Sequence, residues 1–245
     1  MCTYTLVQMG KTNSTPVTKP ADDVELSELP KKIPQLHAIF RNACKDGNVK
    51  LVAKILALDI IDVNEGSAKN NVTGLTLASQ AGHTNVVALL LDKAKGKINV
   101  NAVAASTSTP LLRACQFNHK EVVRLLLDMA RESINVNQAS ECGSTPLAAA
   151  ACSDYAEIVE MLLDKMRAVI DVNPVDANGV TPVYYAAHNG YVRVVELLLS
   201  HPDVDIDLPW IRSDGMEFTP LMRAQANGHT DIVNLLQSHA NGNKE

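Results

Sequence analysis

The sequence predicts an all-α solenoid in which about six helix-turn-helix units stack side by side, joined by hairpin-like loops. The main observation is a period. Thr-Pro pairs recur at intervals of 36, 36 and 38 residues, and a Thr-Gly pair stands 36 residues before the first of them. The threonines of the five pairs are Thr73, Thr109, Thr145, Thr181 and Thr219. A fixed period in this range indicates stacked repeats. Aromatic residues make up only 4% of the chain, as expected where small and aliphatic side chains fill narrow gaps between helices.

The clearest copy, residues 179–199, shows why each unit needs a neighbour. The Thr181 hydroxyl can cap the first free amides of a helix, and Pro182 takes the first helical position, where a missing N–H costs nothing. Gly190 ends that helix, and an apolar stripe then marks a second one. One such pair cannot bury its own apolar face, so the units must stack.

The residues that carry the period resemble the ankyrin repeat. In order, they are Thr-Pro-Leu, a small pair, Gly-His, Val-Val, a Leu run and Val-Asn, and the resemblance extends over roughly 36–239. The family's His after Thr-Pro-Leu is missing from every copy. Because that His normally ties the helix to its hairpin, we expect the hairpins to be held less firmly or by other bonds. The residues that replace it are Thr76, Leu112, Ala148, Tyr184 and Met222.

The period divides the chain into segments. Residues 1–30 are polar and aperiodic, and we expect them to be disordered or loosely attached. The predicted repeat domain is 36–239, and 240–245 form a tail. Within the domain we expect an N-terminal cap repeat, four full repeats and a C-terminal cap repeat, at 36–64, 65–101, 102–137, 138–173, 174–207 and 208–239.

Two departures from the period predict local changes. In repeats two to four, ten residues separate the last Leu of the second helix from the Asn, as in Leu91 to Asn101. The resemblance implies about seven, so we expect that helix to gain close to one turn. After repeat five, Pro202 shortens the second helix, and a long link follows that contains Trp210, the only tryptophan.

The composition of the chain limits the classes of partner and the cellular location that we expect. The formal net charge is −5 without a large basic cluster, which argues against a nucleic-acid partner. No apolar run is long enough for membrane insertion. The five cysteines form no CxxC pair, and we expect Cys44 and Cys115 to pack in the core. A reducing, cytoplasmic location is therefore our expectation, with secretion into a host cell as the alternative.

A residue type that recurs at the same position of successive repeats is explained by the scaffold, so it is a weak candidate for a functional site. His83, His119 and His229 take one repeat position and should stand about 10 Å apart, too far to share a metal ion whose ligands lie near 2 Å. Asn101 and its equivalents should hydrogen-bond the hairpin backbone. No nucleophile–base arrangement, glycine-rich loop or carboxylate pair stands out. We therefore expect no cofactor, no metal and no enzymatic activity.

Residues that break the pattern on exposed positions are the candidate site. The resemblance places the hairpin tips and the ends of the first helices on a concave face, where Phe117 is an unusually large apolar residue. For Trp210, a partner contact and a lid over the last repeat are both open. Trp, Tyr and Arg carry most binding energy at interfaces. The candidates are Arg113, Gln116, Phe117, Ser153, Tyr185, His188, Asn189, Trp210, Arg212 and Arg223.

The resulting hypothesis is a non-enzymatic module that binds a partner protein through its concave face, as an adaptor, inhibitor or targeting subunit. We expect it to be a monomer alone. One alternative is a secreted bacterial effector that engages a host protein with the same scaffold. The other is a structural scaffold that associates with itself.

Overall fold

The computed structural model describes residues 32–104 and 108–242; the predicted N-terminal segment 1–30 and residues 243–245 of the tail lie outside them. This described part contains twelve α-helices and two short β-strands. They are α1 (Ile33–Asp46), α2 (Val49–Leu56), α3 (Gly74–Ala81), α4 (Thr84–Lys93), α5 (Pro110–Gln116), α6 (Lys120–Met129), α7 (Pro146–Cys152), α8 (Ala156–Met166), α9 (Pro182–Asn189), α10 (Val192–Leu199), β1 (Trp210–Ile211), β2 (Glu217–Phe218), α11 (Pro220–Asn227) and α12 (Thr230–Gly242).

The helices form two layers that run the length of the stack. The odd-numbered helices pack on one another in chain order, from α1 through α11, and so do the even-numbered helices, from α2 through α12. Each odd helix also packs on the even helix that follows it. The predicted solenoid of helix-turn-helix units is therefore confirmed. Below, the odd helices are called the inner layer and the even helices the outer layer.

The Thr-Pro signal works as predicted. The hydroxyl of Thr181 accepts a hydrogen bond from the N–H of Tyr184, and Thr73, Thr109, Thr145 and Thr219 make the same bond at their own helices. Gly190 ends α9 in the left-handed conformation, with φ of 83°. Helix α1 has no such hydroxyl, since Lys32 precedes it and makes no side-chain cap.

Helix lengths follow the spacing of the sequence. Helices α4 and α6 have 10 residues and α8 has 11, whereas α2 and α10 have 8. The second helices of repeats two to four are therefore longer by two or three residues, which is less than the full turn predicted. The last helix differs from expectation, because α12 continues to Gly242 and takes in the first residues of the predicted tail. No glycine or proline interrupts it between Thr230 and that point.

The core is a continuous line of aliphatic side chains between the layers. Leu126, Ile158 and Leu162 are among its largest fully buried members. Cys44 and Cys115 lie in this line, as the sequence predicts. Burial raises the pKa of the Cys44 thiol to about 12 and also raises that of Cys115, because the surroundings cannot solvate a thiolate.

Recurrent asparagines bridge successive repeats. The Asn137 side chain donates to the Val169 carbonyl at 2.7 Å and accepts from the Asp171 N–H at 2.8 Å. Asn64, Asn101 and Asn173 make the same pair of bonds to the repeat that follows each of them. The expected partner was the hairpin backbone. The bonds instead reach the loop that leads into the next hairpin, because that loop runs beside the asparagine in the stack.

The recurrent histidines are also part of the scaffold. The Nε2 atoms of His83, His119 and His229 lie 2.8, 2.9 and 3.1 Å from the carbonyl oxygens of Lys45, Gln80 and His188. Each carbonyl belongs to the inner helix of the preceding repeat, near its C-terminal end, where the carbonyls have no partner within the helix. These bonds link each of the three histidines to the repeat before it, just as each asparagine is linked to the repeat after it.

Replacing Asn137 by Ala should lower the free energy of unfolding by about 1–2 kcal/mol, because two backbone groups lose their partner and must be hydrated instead. Urea denaturation of the full chain measures this. The matched control is Asn85→Ala, at an exposed position on α4, which should change stability by less than about 0.5 kcal/mol. Equal effects of the two substitutions would contradict a bridging role.

Alkylation of the native protein should distinguish the partly exposed cysteines from the buried ones by their reactivity. Cys142 and Cys152 are partly exposed and should react with iodoacetamide, whereas the buried Cys44 and Cys115 should react only after denaturation. Mass spectrometry of the digested protein identifies the labelled sites. Rapid labelling of Cys115 in the native protein would show that the interior of the third repeat opens.

Candidate functional site

A groove of about 820 Å³ runs along the inner layer near its N-terminal end. Helices α1, α3 and α5 form its floor, and the loops before α3, α5 and α7 contribute to its walls. Its lining includes Arg41, Lys45, Leu77, Gln80, Arg113 and Glu141. The groove is open to solvent rather than enclosed.

One part of the predicted site lies at the end of α5, beside this groove. Arg113 is half-buried and donates to the Gln116 side chain at 3.2 Å, and the loss of hydration lowers the pKa of its guanidinium. Phe117 caps the helix with 43% of its surface exposed, and its ring stacks on that of His119 with centroids 6.4 Å apart. The structure therefore brings Arg113, Gln116 and Phe117 together as one group.

Helix α9 carries three candidates, of which two bond within their own repeat. The Tyr185 hydroxyl donates to Asp176 at 2.8 Å, so this ring is tied to its own hairpin. Asn189 donates to the Tyr185 carbonyl. His188 faces the next repeat, where the Asn227 amide lies 3.0 Å from its Nδ1 atom, and loss of hydration together with the nearby Arg223 charge lowers the pKa of this histidine.

The long link folds into a β-hairpin that the sequence analysis did not predict. Strand β1 pairs antiparallel with β2, and Trp210 stands opposite Phe218. Gly215 turns the chain with φ of 82°. Arg212 pairs with Asp214 in the turn, and this hydrogen bond, followed by that from the Met216 N–H, lowers the pKa of the Asp214 carboxyl to about 2. The Asp214-Gly215 pair was the available signal, since it favours tight turns.

Arg223 holds the hairpin against the stack. Its guanidinium carbon lies 4.7, 5.5 and 6.0 Å from the ring centres of Phe218, Trp210 and Tyr184, within the range of cation–π attraction. Its Nε also donates to the Tyr184 hydroxyl at 2.9 Å. Trp210 thus packs as a lid on the last two repeats, although its ring stays partly exposed.

Seven of the ten predicted residues fall into two groups, whereas Ser153, Tyr185 and Asn189 lie outside both. The first is the α5 group, Arg113, Gln116 and Phe117. The second is the hairpin cluster, which we define as Tyr184, His188, Trp210, Arg212, Phe218 and Arg223. Helix α7 separates α5 from α9 and presents the half-buried Cys152 and Ser153 between them. Sequence reasoning missed Tyr184, because its contacts with Trp210 and Arg223 join residues 26 and 39 positions apart. It missed Phe218 because the contacts of that ring depend on the hairpin, which no other repeat contains.

Neither group has the geometry of a catalytic or metal site. In residues 32–104 and 108–242, three or more His, Cys, Asp or Glu side chains nowhere approach closely enough to hold a metal ion. A membrane-spanning helix is likewise missing from these residues, where every helix is too short or too polar. What both groups offer is exposed ring surface beside arginine.

Replacing Arg223 by Ala should loosen the hairpin, because about 1 kcal/mol of cation–π attraction is lost together with the bond to Tyr184. Trp210 is the only tryptophan, so its fluorescence reports on the hairpin alone. We expect a red shift and stronger quenching by acrylamide. Arg193→Ala, which removes a surface pair with Glu160 on the outer layer, should leave the emission unchanged. An unaltered spectrum in Arg223→Ala would show that the hairpin does not depend on this residue.

Comparison with known proteins agrees with this architecture. A family model described as ankyrin repeats in three copies matches residues 40–138, 94–176, 130–210 and 168–245. An ankyrin repeat domain from Acinetobacter baumannii is 24% identical with a TM-score of 0.69, and the alignment covers 82% of this chain and 97% of that one. The ankyrin repeat protein EF0377 is 22% identical, with a TM-score of 0.71 and the same coverage. The ankyrin repeat domain of Bcl-3, a member of the IkappaB protein family, is 23% identical with a TM-score of 0.69, covering 82% and 85%. The search of curated proteins gave no match. Because the family model spans most of its length, the chain belongs to the ankyrin repeat family.

Proposed function

We propose that the chain binds a partner protein along its inner layer and has no chemistry of its own, so that it serves as an adaptor, inhibitor or targeting subunit. Ankyrin repeat domains are in general protein-interaction modules. The observation that carries the proposal for this chain is Phe117, a ring 43% exposed beside an open groove. Aromatic residues and arginine are enriched at protein interfaces relative to the rest of the surface, and Phe117 stands beside Arg113.

The energetics favour the α5 group as the centre of the contact. Covering the exposed part of the Phe117 ring would remove roughly 90 Å² from water and contribute about 2 kcal/mol. Arg113 stands one helical turn earlier, where its stem is already half-buried and its loss of entropy on binding is small. A ring and an arginine on adjacent turns are the residue types that dominate measured interface energies.

The hairpin cluster would form the second part of the contact. Trp210 remains partly exposed, and the neighbouring Ile211, Met216 and Met222 are more than half exposed. The short side chains at the end of α7 would let a partner span the two groups. The proposed contact residues remain Arg113, Gln116, Phe117, Ser153, Tyr185, His188, Asn189, Trp210, Arg212 and Arg223, with Tyr185 the least available because its hydroxyl is bonded to Asp176.

The test is affinity capture from lysate with matched full-length baits. Phe117→Ser should lose the partner, since one hot-spot residue typically contributes at least about 2 kcal/mol, or some thirty-fold in affinity. The control is Met129→Ser, which removes an equally exposed apolar side chain, 47% exposed, from the outer layer. A partner retained by both variants would move the contact to another face. A partner lost from both would point to general destabilisation.

The oligomeric state separates this proposal from a self-associating scaffold. Light scattering after size exclusion should give the mass of one chain, 26.4 kDa. A stable homo-oligomer would favour the scaffold role. We further propose a reducing compartment for the chain, the cytoplasm of the producing cell or of a host that receives the protein, since Cys44, Cys115, Cys142 and Cys152 form no disulfide among the described residues.

A further inference from the structure

The groove beside α1 is positively charged at one end. Arg41 and Lys45 stand four residues apart on this helix, so both side chains lie on one face, and both line the groove. Arg113 lines the other end of the groove, on α5, which α3 separates from α1. Among the described residues that line the groove, the single carboxylate is Glu141, which belongs to the loop before α7. This positive end belongs to a chain whose net charge is −5.

The surroundings leave the two α1 charges available. Arg41 donates to the backbone carbonyl of Glu65 at 3.3 Å, a neutral acceptor that does not compensate its charge. Lys45 is exposed, and the bond made near it, from His83, uses its backbone carbonyl rather than its ammonium group. An anionic segment that entered the groove would meet both cations at the surface.

The chain carries such a segment directly before α1. Between Pro20 and Pro30 stand Asp22, Asp23, Glu25 and Glu28, with no lysine or arginine among them. Val24, Leu26 and Leu29 are interleaved with these carboxylates. The segment thus combines negative charge with apolar side chains, and the groove combines positive charge with Val72, Leu77 and Ala81. The two are complementary in both respects.

The tether is the right length for this pairing. Along α1, Arg41 lies about 14 Å and Lys45 about 20 Å from Lys32, at a rise of 1.5 Å per residue. Glu28 is four residues before Lys32 and Asp22 is ten, so an extended chain places their carboxylates up to about 13 and 33 Å from it. The acidic stretch can therefore run back along α1 and reach both cations.

We propose that residues 22–28 bind in cis to the positive end of the groove, against Arg41 and Lys45 of the same chain. A few exposed ion pairs would bind only weakly between separate molecules. A short tether raises the effective concentration to the order of millimolar, at which a contact worth about 4 kcal/mol is half populated. The ion pairs and the burial of Val24 and Leu26 against the apolar lining would together supply it. The proposal goes beyond the partner-binding function and does not require a partner.

Zero-length cross-linking of the full-length protein tests the proposal. A carbodiimide couples a carboxylate to a lysine amine only where the two groups touch. We expect a Lys45 cross-link to residues 22–28 in the monomeric fraction, located by mass spectrometry. It should decrease several-fold in Arg41→Gln. It should also decrease in about 0.5 M salt, where the screening length is near 4 Å. Lys93 on α4 is an equally accessible lysine outside the groove and serves as the internal control.

A second measurement removes the dependence on cross-linking chemistry. Replacing Asp22, Asp23, Glu25 and Glu28 by their amides should raise the acylation rate of Lys45 several-fold and leave that of Lys93 unchanged. Three results would overturn the proposal. The first is equal cross-linking of Lys45 and Lys93, or none of Lys45. The second is a cross-link that Arg41→Gln leaves intact. The third is a cross-link confined to dimeric species, which would place the segment on a second molecule.

Discussion

The stack depends on one constraint: each helix pair leaves backbone carbonyls without a partner inside the pair, and side chains of the adjacent pairs supply that partner. Inner-helix carbonyls such as that of Gln80 accept from a histidine of the next repeat, and loop carbonyls such as that of Val169 accept from an asparagine of the previous one. These bonds run in opposite directions along the chain. A unit removed from the middle would therefore leave polar groups unpaired on both sides, which is why a solenoid is stable only as an array.

The same constraint decides where function can reside. Positions that link repeats are constrained, because the backbone group that they satisfy recurs along the stack, although Tyr155 and Tyr191 stand at the histidine position in two repeats. A histidine row that would otherwise invite a metal-site interpretation is thus accounted for by His83, His119 and His229, each bonded to a carbonyl. The side chains at the C-terminal ends of the inner helices are not needed to satisfy a backbone group of a neighbouring repeat. These ends are where Phe117, Ser153 and Asn189 differ from one another, and where a partner can be selected.

Sequence alone predicted the parts that repeat and missed the part that does not. The Thr caps, the layers and the longer α4, α6 and α8 all follow from a period that can be counted. The β1–β2 hairpin interrupts the period, so no other copy could reveal it. Its anchor, Arg223, stands at a repeat position that Leu77 and Ala149 occupy elsewhere. Only the folded chain shows that Phe218, Trp210 and Tyr184 converge on it, since those contacts depend on how the link folds back.

The two candidate groups differ in how much a partner could still gain from them. Arg223 already contacts three rings and a hydroxyl, so binding to the hairpin cluster would add shape complementarity more than new charge contacts. Phe117 contacts one histidine ring and leaves 43% of its surface in water. Burial of apolar surface contributes more to the free energy of binding than added charge contacts do, and it depends less on direction. The free energy of recognition should therefore concentrate at α5, in the middle of the chain, while the hairpin cluster mainly determines which partners fit beside it.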